Sequence, residues 1–138
     1  MMSLAQANNE VQELLAFIKE QKVTYMATID EDQACVRPMS ALVEIDGKLA
    51  WCTNRTKEVF TEVAANPKIE FAMFDKGKTV RLRGTCQVDD TKKGAYLEIQ
   101  PGVAKWYGGG EADMAVMVFE NAEVFVSDKN GKQALTLY

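Results

Sequence analysis

Residues 35–60 read CVRPMSALVEIDGKLAWCTNRTKEVF, and this stretch decides the fold because it combines two strand patterns, a tight turn and the start of a helix. Apolar and polar side chains alternate through residues 36–45, which is the period of a β-strand. Asp46-Gly47 then supplies a dipeptide that a type I′ turn favours. The chain returns as a second strand over residues 48–53. The stretch therefore predicts a β-hairpin.

The second strand of this hairpin leads into a helix whose first turn carries features that attract anions. After Thr53 the apolar period becomes helical, and Thr53, Asn54 and Thr56 are each available to cap the helix. A helix N-terminus attracts anions through its unpaired N–H groups and its dipole. The side chains that could converge there are those of Thr53, Thr56, Arg55, Lys57 and Arg37, the last of which we expect on the strand paired with the one ending at Thr53. A phosphate fits this pattern, and an ordinary capped helix with solvated charges fits it equally well.

The composition favours one globular domain that binds a small ligand. The 138 residues suffice for one hydrophobic core, and 47% of them are hydrophobic and 26% charged, as in ordinary globular proteins. We expect a single domain over residues 1–138, with an N-terminal helix within residues 1–22 and a barrel within residues 23–127. The net charge of −4 disfavours nucleic acid or an anionic membrane as the partner of the whole surface, and a small anionic ligand fits better.

Cysteine usage and the lack of histidine narrow the chemistry. Cys35, Cys52 and Cys86 are too far apart for CxxC metal or redox motifs, so we expect three reduced thiols in a cytoplasmic protein. We find no secretion signal and no apolar run near the ~20 residues of a membrane span. The lack of histidine excludes Ser-His-Asp or Cys-His catalysis, His-ligated zinc and proximal-His haem within one subunit. The chemistry must then come from other side chains or from a bound cofactor.

The rest of the chain predicts a mainly β fold of the α+β class. A helical pattern covers residues 8–21, and strand patterns follow at residues 23–29, 69–74, 79–88, 114–120 and 123–127. Antiparallel strands in this number, with few helices, usually close into a barrel. The remaining segments are expected as a helical excursion at residues 89–107, a flexible connection at residues 108–110, and a short polar tail after residue 131 whose structure the pattern does not determine. The most basic stretch carries Lys76, Lys78, Arg81 and Arg83; a solvated outer face is its first explanation, and phosphate or nucleotide contact is the alternative.

Four motifs, in order along the chain, carry a resemblance to a known family. They are Arg37-Pro38-Met39-Ser40, Trp51-Cys52-Thr53-Asn54-Arg55-Thr56-Lys57, Asn66-Pro67 and Val80-Arg81-Leu82-Arg83-Gly84. Together they resemble the pyridoxamine 5′-phosphate oxidase-like family, the FMN-binding split β-barrels. The resemblance implies a six-stranded antiparallel split β-barrel with flanking helices, FMN as the cofactor, and a homodimer with the flavin at the subunit interface.

The resemblance also implies which residues bind the cofactor. Arg37 would contact the FMN phosphate or its chain, Thr53 and Lys57 would complete the phosphate site, and Thr79 would reach the isoalloxazine ring. The full set of expected cofactor-binding residues is Arg37, Pro38, Met39, Ser40, Cys52, Thr53, Asn54, Arg55, Thr56, Lys57, Thr79 and Trp106. The flavin would perform the redox step, so no catalytic side chain and no metal ligand is expected.

Aromatic residues and departures from the family pattern refine the expected function. Trp106 and Tyr107 would wall the flavin of the partner subunit, although core or dimer packing explains them at least as well. The oxidase itself has a substrate-binding Lys where this chain has Leu42, and it ends with an Arg- and His-containing segment that this chain lacks. We therefore expect an FMN-dependent oxidoreductase of the flavin reductase type with a small-molecule electron donor or acceptor, and not the vitamin B6 oxidase.

Three other interpretations stay open at this point. The pocket could belong to a non-catalytic flavin-binding or sensor protein, because a fold alone does not determine a reaction. It could hold a deazaflavin or a haem, although the lack of histidine disfavours haem. A barrel that binds oligonucleotides is a third alternative, which the acidic balance and the few aromatic residues disfavour.

Overall fold

The computed structural model describes residues 9–107 and 111–138, so the connection expected at residues 108–110 lies outside it. The helices are α1 (Asn9–Glu20), α2 (Glu58–Ala65) and α3 (Lys93–Ile99). The strands are β1 (Val23–Asp30), β2 (Gln33–Ser40), β3 (Val43–Ile45), β4 (Lys48–Asn54), β5 (Lys68–Asp75), β6 (Lys78–Val88), β7 (Met114–Phe119), β8 (Glu123–Asp128) and β9 (Gly131–Thr136). Short 3₁₀ segments lie at Asp90–Lys92, Pro101–Tyr107 and Glu111–Asp113. No helix among the described residues is both long and apolar enough to cross a membrane.

The strands form one antiparallel sheet that does not close. Six strands follow one another in the order β2-β1-β5-β6-β7-β4, and β3 extends this path beyond β4. β8 pairs with β6, and β9 pairs with β8. In the described part of the chain β2 and β4 do not pair with each other, so the barrel is open between them. The prediction of a mainly β, antiparallel split barrel with flanking helices is confirmed.

The long strand β6 changes partner along its length. Residues 79–83 pair with β8, and residues 86–88 pair with β7. At the changeover a Cβ on Gly84 would lie 2.0 Å from the carbonyl oxygen of Asn121, so only glycine lets the connection between β7 and β8 cross the strand here. The Asn121 side chain accepts a hydrogen bond from the Thr85 amide at 3.1 Å and donates one to Thr85 Oγ1 at 2.8 Å, which fixes the crossing.

The hairpin of β3 and β4 forms at the turn that the sequence predicts. Asp46 and Gly47 have φ angles of 51° and 79°, the left-handed values that a type I′ turn requires at both central residues. Ile45 and Lys48 pair directly across the turn. Local turn chemistry therefore sets the register of this hairpin.

The alternating pattern before the turn belongs to two strands and not to one. β2 ends at Ser40 and pairs with β1, whereas β3 begins at Val43 and pairs with β4. Arg37 lies opposite Met26 on β1, so the expectation that its strand pairs with the one ending at Thr53 is wrong. Alternation indicates which side chains share a face, but it does not identify the neighbouring strand.

The main core fills the inner side of the sheet beneath α1. Trp51, Phe71 and Phe119 are fully buried, and the Phe71 ring lies 5.9 Å from each of the other two ring centroids in edge-on and tilted contacts. Leu15 and Ile18 of α1 complete this cluster, as the apolar stripe of residues 8–21 predicts. Each large apolar side chain buried in this way contributes about 1.5–3 kcal/mol.

The C-terminal residues form a strand that the sequence pattern left undetermined. β9 pairs with β8 along its whole length, from Gly131 opposite Asp128 to Thr136 opposite Glu123. The hydroxyl of Tyr138 accepts from the Leu49 amide at 2.9 Å and burial raises the pKa of this hydroxyl. The sequence did not reveal this strand because β9 is an exposed edge strand, whose polar residues give little strand pattern.

Candidate functional site

A cleft of about 510 Å³ lies where the barrel is open. One wall is the edge of β2, the opposite wall is the end of β4, and the N-terminus of α2 closes one side. The lining residues are Lys22, Val23, Arg37, Pro38, Met39, Ser40, Cys52, Thr53, Lys57, Glu58, Val59 and Trp106. The missing pairing between β2 and β4 is thus the structural origin of the cleft.

Most of the residues expected at the site line this cleft. Those that do are Arg37, Pro38, Met39, Ser40, Cys52, Thr53, Lys57 and Trp106. Those that do not are Asn54, Arg55, Thr56 and Thr79. The cleft therefore brings together residues from separate strands. Arg37-Pro38-Met39-Ser40 lie on β2, Cys52 and Thr53 lie at the end of β4, and Lys57 directly precedes α2.

The N-terminus of α2 opens into the cleft without a side-chain cap. Its N-cap residue is Lys57, in extended conformation, and no side chain accepts a hydrogen bond there. The expectation that Thr53, Asn54 or Thr56 caps this helix is wrong, because Asn54 Oδ1 instead accepts from the amide and the hydroxyl of Thr56, at 2.8 Å and 2.7 Å. The first amides of a helix have no intrahelical acceptor, and Glu58 and Val59 carry such amides at the cleft.

Arg37 borders the cleft with its charge already paired. Its Nη1 donates to Thr28 Oγ1 at 2.8 Å, and its Nη2 donates to Glu62 Oε1 at 2.8 Å. Thr28 Oγ1 donates to the same carboxylate oxygen at 2.5 Å. Glu62 is only 8% exposed, and a buried carboxylate is costly without a cation and hydrogen bonds. The guanidinium therefore compensates Glu62 while it borders the cleft.

Arg55 does not line the cleft. Its guanidinium forms an ion pair with Asp90, on the 3₁₀ segment after β6, and lies 5.3 Å above the ring of Phe60. Its backbone amide donates to the carbonyl of Asp113 at 2.7 Å, which fixes the turn after β4. Of the three cations expected to converge on an anion, only Lys57 lines the cleft without a carboxylate partner among the described residues.

Trp106 and Thr79 occupy different places relative to the cleft. Trp106, on a 3₁₀ segment, borders the cleft with 59% of its surface exposed, so its indole is accessible at the opening. Tyr107, the other expected wall, has a side chain outside what the structure describes. Thr79 lies on β6 beside Ser127 of β8, in a separate surface depression that also contains Arg81.

Sequence reasoning missed four lining residues, Lys22, Val23, Glu58 and Val59. Lys22 directly precedes β1, and the pairing of Val23 with Ser40 brings it beside the end of β2. That pairing was the signal available in the sequence, since β1 and β2 are joined by a short polar turn. Glu58 and Val59 could have been found from the predicted helix start, because the first residues of a helix carry unpaired amides.

The sheet carries an exposed apolar patch on its outer face, which we define by Val23, Tyr25, Val36 and Phe74. Side chains two residues apart on a strand share a face, and Tyr25 lies opposite Pro38 and Ala72, so β2, β1 and β5 present these residues on one side. Val36 and Phe74 are each 72% exposed. A contiguous exposed patch of large apolar side chains is typical of an interaction surface.

The arginines of β6 lie on the same outer face of the sheet, and both form ion pairs there. Arg81 and Arg83 both donate to the Glu70 carboxylate, at 3.0 Å and 2.7 Å, and both guanidinium groups lie over the ring of Phe125. Burial works to raise the pKa of Glu70, but the hydrogen bonds from Arg83 and Arg81 and their charges outweigh it and lower the pKa. The two arginines therefore have a structural partner on the sheet surface.

A split β-barrel with a ligand cleft at its opening is the class of protein that this geometry defines. Residues 11–128 match the family model described as pyridoxamine 5′-phosphate oxidase, and the chain belongs to that family. No curated protein matches the chain.

Solved structures share this fold. A NimC/NimA family protein from Clostridium acetobutylicum is 32% identical, with a TM-score of 0.83 over 91% of this chain and 90% of that chain. A FAD-binding protein from Mesorhizobium loti is 16% identical, with a TM-score of 0.61 over 82% and 91% of the two chains. A heme binding protein from Mycobacterium smegmatis is 18% identical, with a TM-score of 0.66 over 85% of this chain and 53% of that chain. The last two share the fold alone.

Proposed function

We propose that this protein binds FMN in the cleft between β2 and β4 and acts as an FMN-dependent oxidoreductase of the flavin reductase type. The observation that carries the proposal is the convergence of Lys57 and the uncapped N-terminus of α2 on a cleft of about 510 Å³. Amides and dipole at a helix N-terminus, together with a lysine, form a site suited to a phosphate monoester. The volume is in the range of pockets that hold cofactors.

The lining residues fit the parts of FMN. Lys57, the hydroxyl of Thr53 and the amides of Glu58 and Val59 would bind the phosphate, and the donors of Arg37 not used by Thr28 and Glu62 would add to them. The edge of β2 at Met39 and Ser40 would line the ring, and the accessible indole of Trp106 would stack at the opening. Bound flavin supplies hydride or electron transfer, and the protein positions the ring and limits access to it.

We infer that pyridoxamine 5′-phosphate is not the substrate. The position where the oxidase has a substrate-binding lysine is Leu42, which is 1% exposed and packs in the main core. Leu42 is not among the residues that line the cleft. The similarity to the FAD-binding protein from Mesorhizobium loti supports a flavin ligand, and the similarity to the heme binding protein from Mycobacterium smegmatis makes haem the competing ligand. This chain offers no histidine to a haem iron.

The ligand is tested by visible absorption and equilibrium dialysis of the purified protein with FMN. We expect saturable binding of one FMN per chain, with a shifted flavin spectrum. Haemin provides the comparison: binding of haemin with a Soret shift, together with no binding of FMN, would assign the cleft to haem and contradict the proposal.

The oxidoreductase activity is tested separately by anaerobic reduction. NADH or NADPH should bleach the flavin absorption of the protein–FMN mixture much faster than that of free FMN at the same concentration. If FMN binds but no donor accelerates its reduction, the protein is a non-catalytic flavin-binding or sensor protein, and the enzymatic part of the proposal fails.

We further propose a cytoplasmic homodimer with the flavin site at the subunit interface. The outer-face patch of Val23, Tyr25, Val36 and Phe74 supports a second copy as its occupant, because Val23 also lines the cleft and the patch is therefore continuous with the site. All three cysteines are free thiols, which agrees with a reducing compartment.

A further inference from the structure

The phosphate-binding end of the cleft has little net charge. Arg37 is paired with Glu62 and Arg55 with Asp90, so neither arginine adds an uncompensated positive charge. Lys57 lines the cleft as a cation, and Glu58 beside it carries the opposite charge. An FMN phosphate bears nearly two negative charges at neutral pH. The cleft therefore offers the phosphate Lys57 and a set of amides, with Lys22 as a second lysine in the lining, and not the three free cations that the sequence suggests.

Arg37 cannot transfer its charge to a ligand without cost. Glu62 is 8% exposed, and its Oε1 accepts both the Arg37 Nη2 and the Thr28 hydroxyl. If the guanidinium turned fully toward a phosphate, a buried carboxylate would lose its cation, which is strongly unfavourable. The carboxylate of Glu62 and the ligand's phosphate therefore compete for the same cation.

Resting on the proposed function, we propose that Glu62 is a specificity-determining residue that makes the cleft a weak, exchangeable site for a phosphate-bearing flavin. The Glu62 carboxylate offsets the Arg37 charge next to the phosphate and repels the phosphate itself. FMN then behaves as a diffusible ligand that enters and leaves, rather than as a permanently bound group. The ring contacts along β2 contribute a larger share of the affinity than the phosphate does.

Comparison of FMN with riboflavin measures the phosphate's share, because riboflavin has the same ring and ribityl chain and lacks the phosphate. Dissociation constants for both are obtained by fluorescence titration. We expect the wild-type protein to prefer FMN by less than about a hundredfold, the scale of one charge-assisted contact. Glu62→Gln keeps the shape and an oxygen acceptor but removes the charge, and it should raise this preference about tenfold.

Asp90→Asn is the matched control. It removes the carboxylate charge from the other arginine pair, and Arg55 does not line the cleft, so the preference for FMN should stay within about threefold of the wild-type value. An equal rise in both variants would indicate a general effect of net charge and would overturn the assignment to Glu62. If Glu62→Gln does not fold, the wild-type protein alone tests the proposal. A preference for FMN over riboflavin above about a hundredfold overturns it.

The outcomes separate this inference from the proposed function. If the wild-type protein binds neither FMN nor riboflavin, both fail. If it binds both ligands and Glu62→Gln leaves their ratio unchanged, flavin binding stands and only the role of Glu62 is overturned.

Discussion

Arg37 Nη2 lies 2.8 Å from Glu62 Oε1, and this ion pair joins the edge strand β2 to helix α2 beside the opening of the barrel. Thr28 on β1 bonds to both partners, so three elements meet at one carboxylate. β2 has β1 as its only strand partner in the described part of the chain. The ion pair therefore attaches β2 to α2 through side chains, in addition to the single backbone ladder between β2 and β1.

Arg37→Ala should lower the free energy of unfolding by about 3 kcal/mol at neutral pH, because Glu62 is left as a buried carboxylate without its cation. Urea unfolding measures this loss. Arg83→Ala is the control: its ion pair with Glu70 is more exposed, and we expect a loss of about 1 kcal/mol or less. The double variant Arg37→Ala, Glu62→Gln should recover part of the stability. Equal losses at Arg37 and Arg83, with no recovery in the double variant, would show that Glu62 does not need this cation.

Gly84→Ala should destabilise the barrel by about 3 kcal/mol or more, because the new Cβ would lie 2.0 Å from the backbone oxygen of Asn121. Gly94→Ala provides a matched control within α3, where a Cβ meets nothing within 4 Å, and it should stabilise by about 0.5–1 kcal/mol. Thermal or urea unfolding of the two variants measures both effects. Similar stability in both would contradict the account of how β6 exchanges β8 for β7.

Phe74→Glu should convert the proposed dimer into a monomer, because it introduces a charge into the exposed outer-face patch. Light scattering coupled to size exclusion gives the mass directly. Ile99→Glu changes another exposed apolar residue, on α3 and outside the patch, and should leave the dimer intact. A monomeric wild-type protein, or a dimeric Phe74→Glu variant, would refute the proposed interface.

Cys86 should resist alkylation in the native state while Cys35 reacts. Burial raises the pKa of the Cys86 thiol to about 12, so at pH 8 it remains a protonated, inaccessible group that accepts a hydrogen bond from Trp51 Nε1 at 3.4 Å. Cys35 lies partly exposed on β2. Iodoacetamide labelling with peptide mass spectrometry measures each site. Labelling of Cys86 at a rate comparable to that of Cys35 would mean that the core around Trp51 opens readily.

The parts of the fold that depend on local chemistry could be predicted from the sequence. Asp46-Gly47 set the β3–β4 turn because its backbone angles are a property of those two residues. α1 followed from the spacing of its buried leucines and isoleucine. The alternation of side chains does not identify the neighbour of β2, because pairing with β1 or with β4 leaves it unchanged. The short polar turn between β1 and β2 is the sequence signal that favours β1.

The sequence predicted which residues meet at the candidate site better than it predicted which of their charges are paired. The motifs around Met39 and Thr53 do line one cleft. The ion pairs of Arg37 and Arg55 join residues 25 and 35 positions apart, and sequence spacing carries no sign of them. For this reason three cations were expected where the structure leaves Lys57 as the unpaired one among the described residues.

The most direct test of the account is a titration of wild-type protein and Lys57→Ala with FMN. Lys57 supplies a cation without an ion-pair partner among the described residues at the uncapped start of α2, so its removal should weaken FMN binding by about 1.5–3 kcal/mol, or roughly ten- to hundredfold. Lys68→Ala removes an exposed lysine outside the cleft and should bind FMN as the wild type does. Saturable binding of one FMN per chain that weakens only in Lys57→Ala is the predicted result. A protein that does not bind FMN, or a Lys57→Ala variant with wild-type affinity, would contradict the assignment of the cleft.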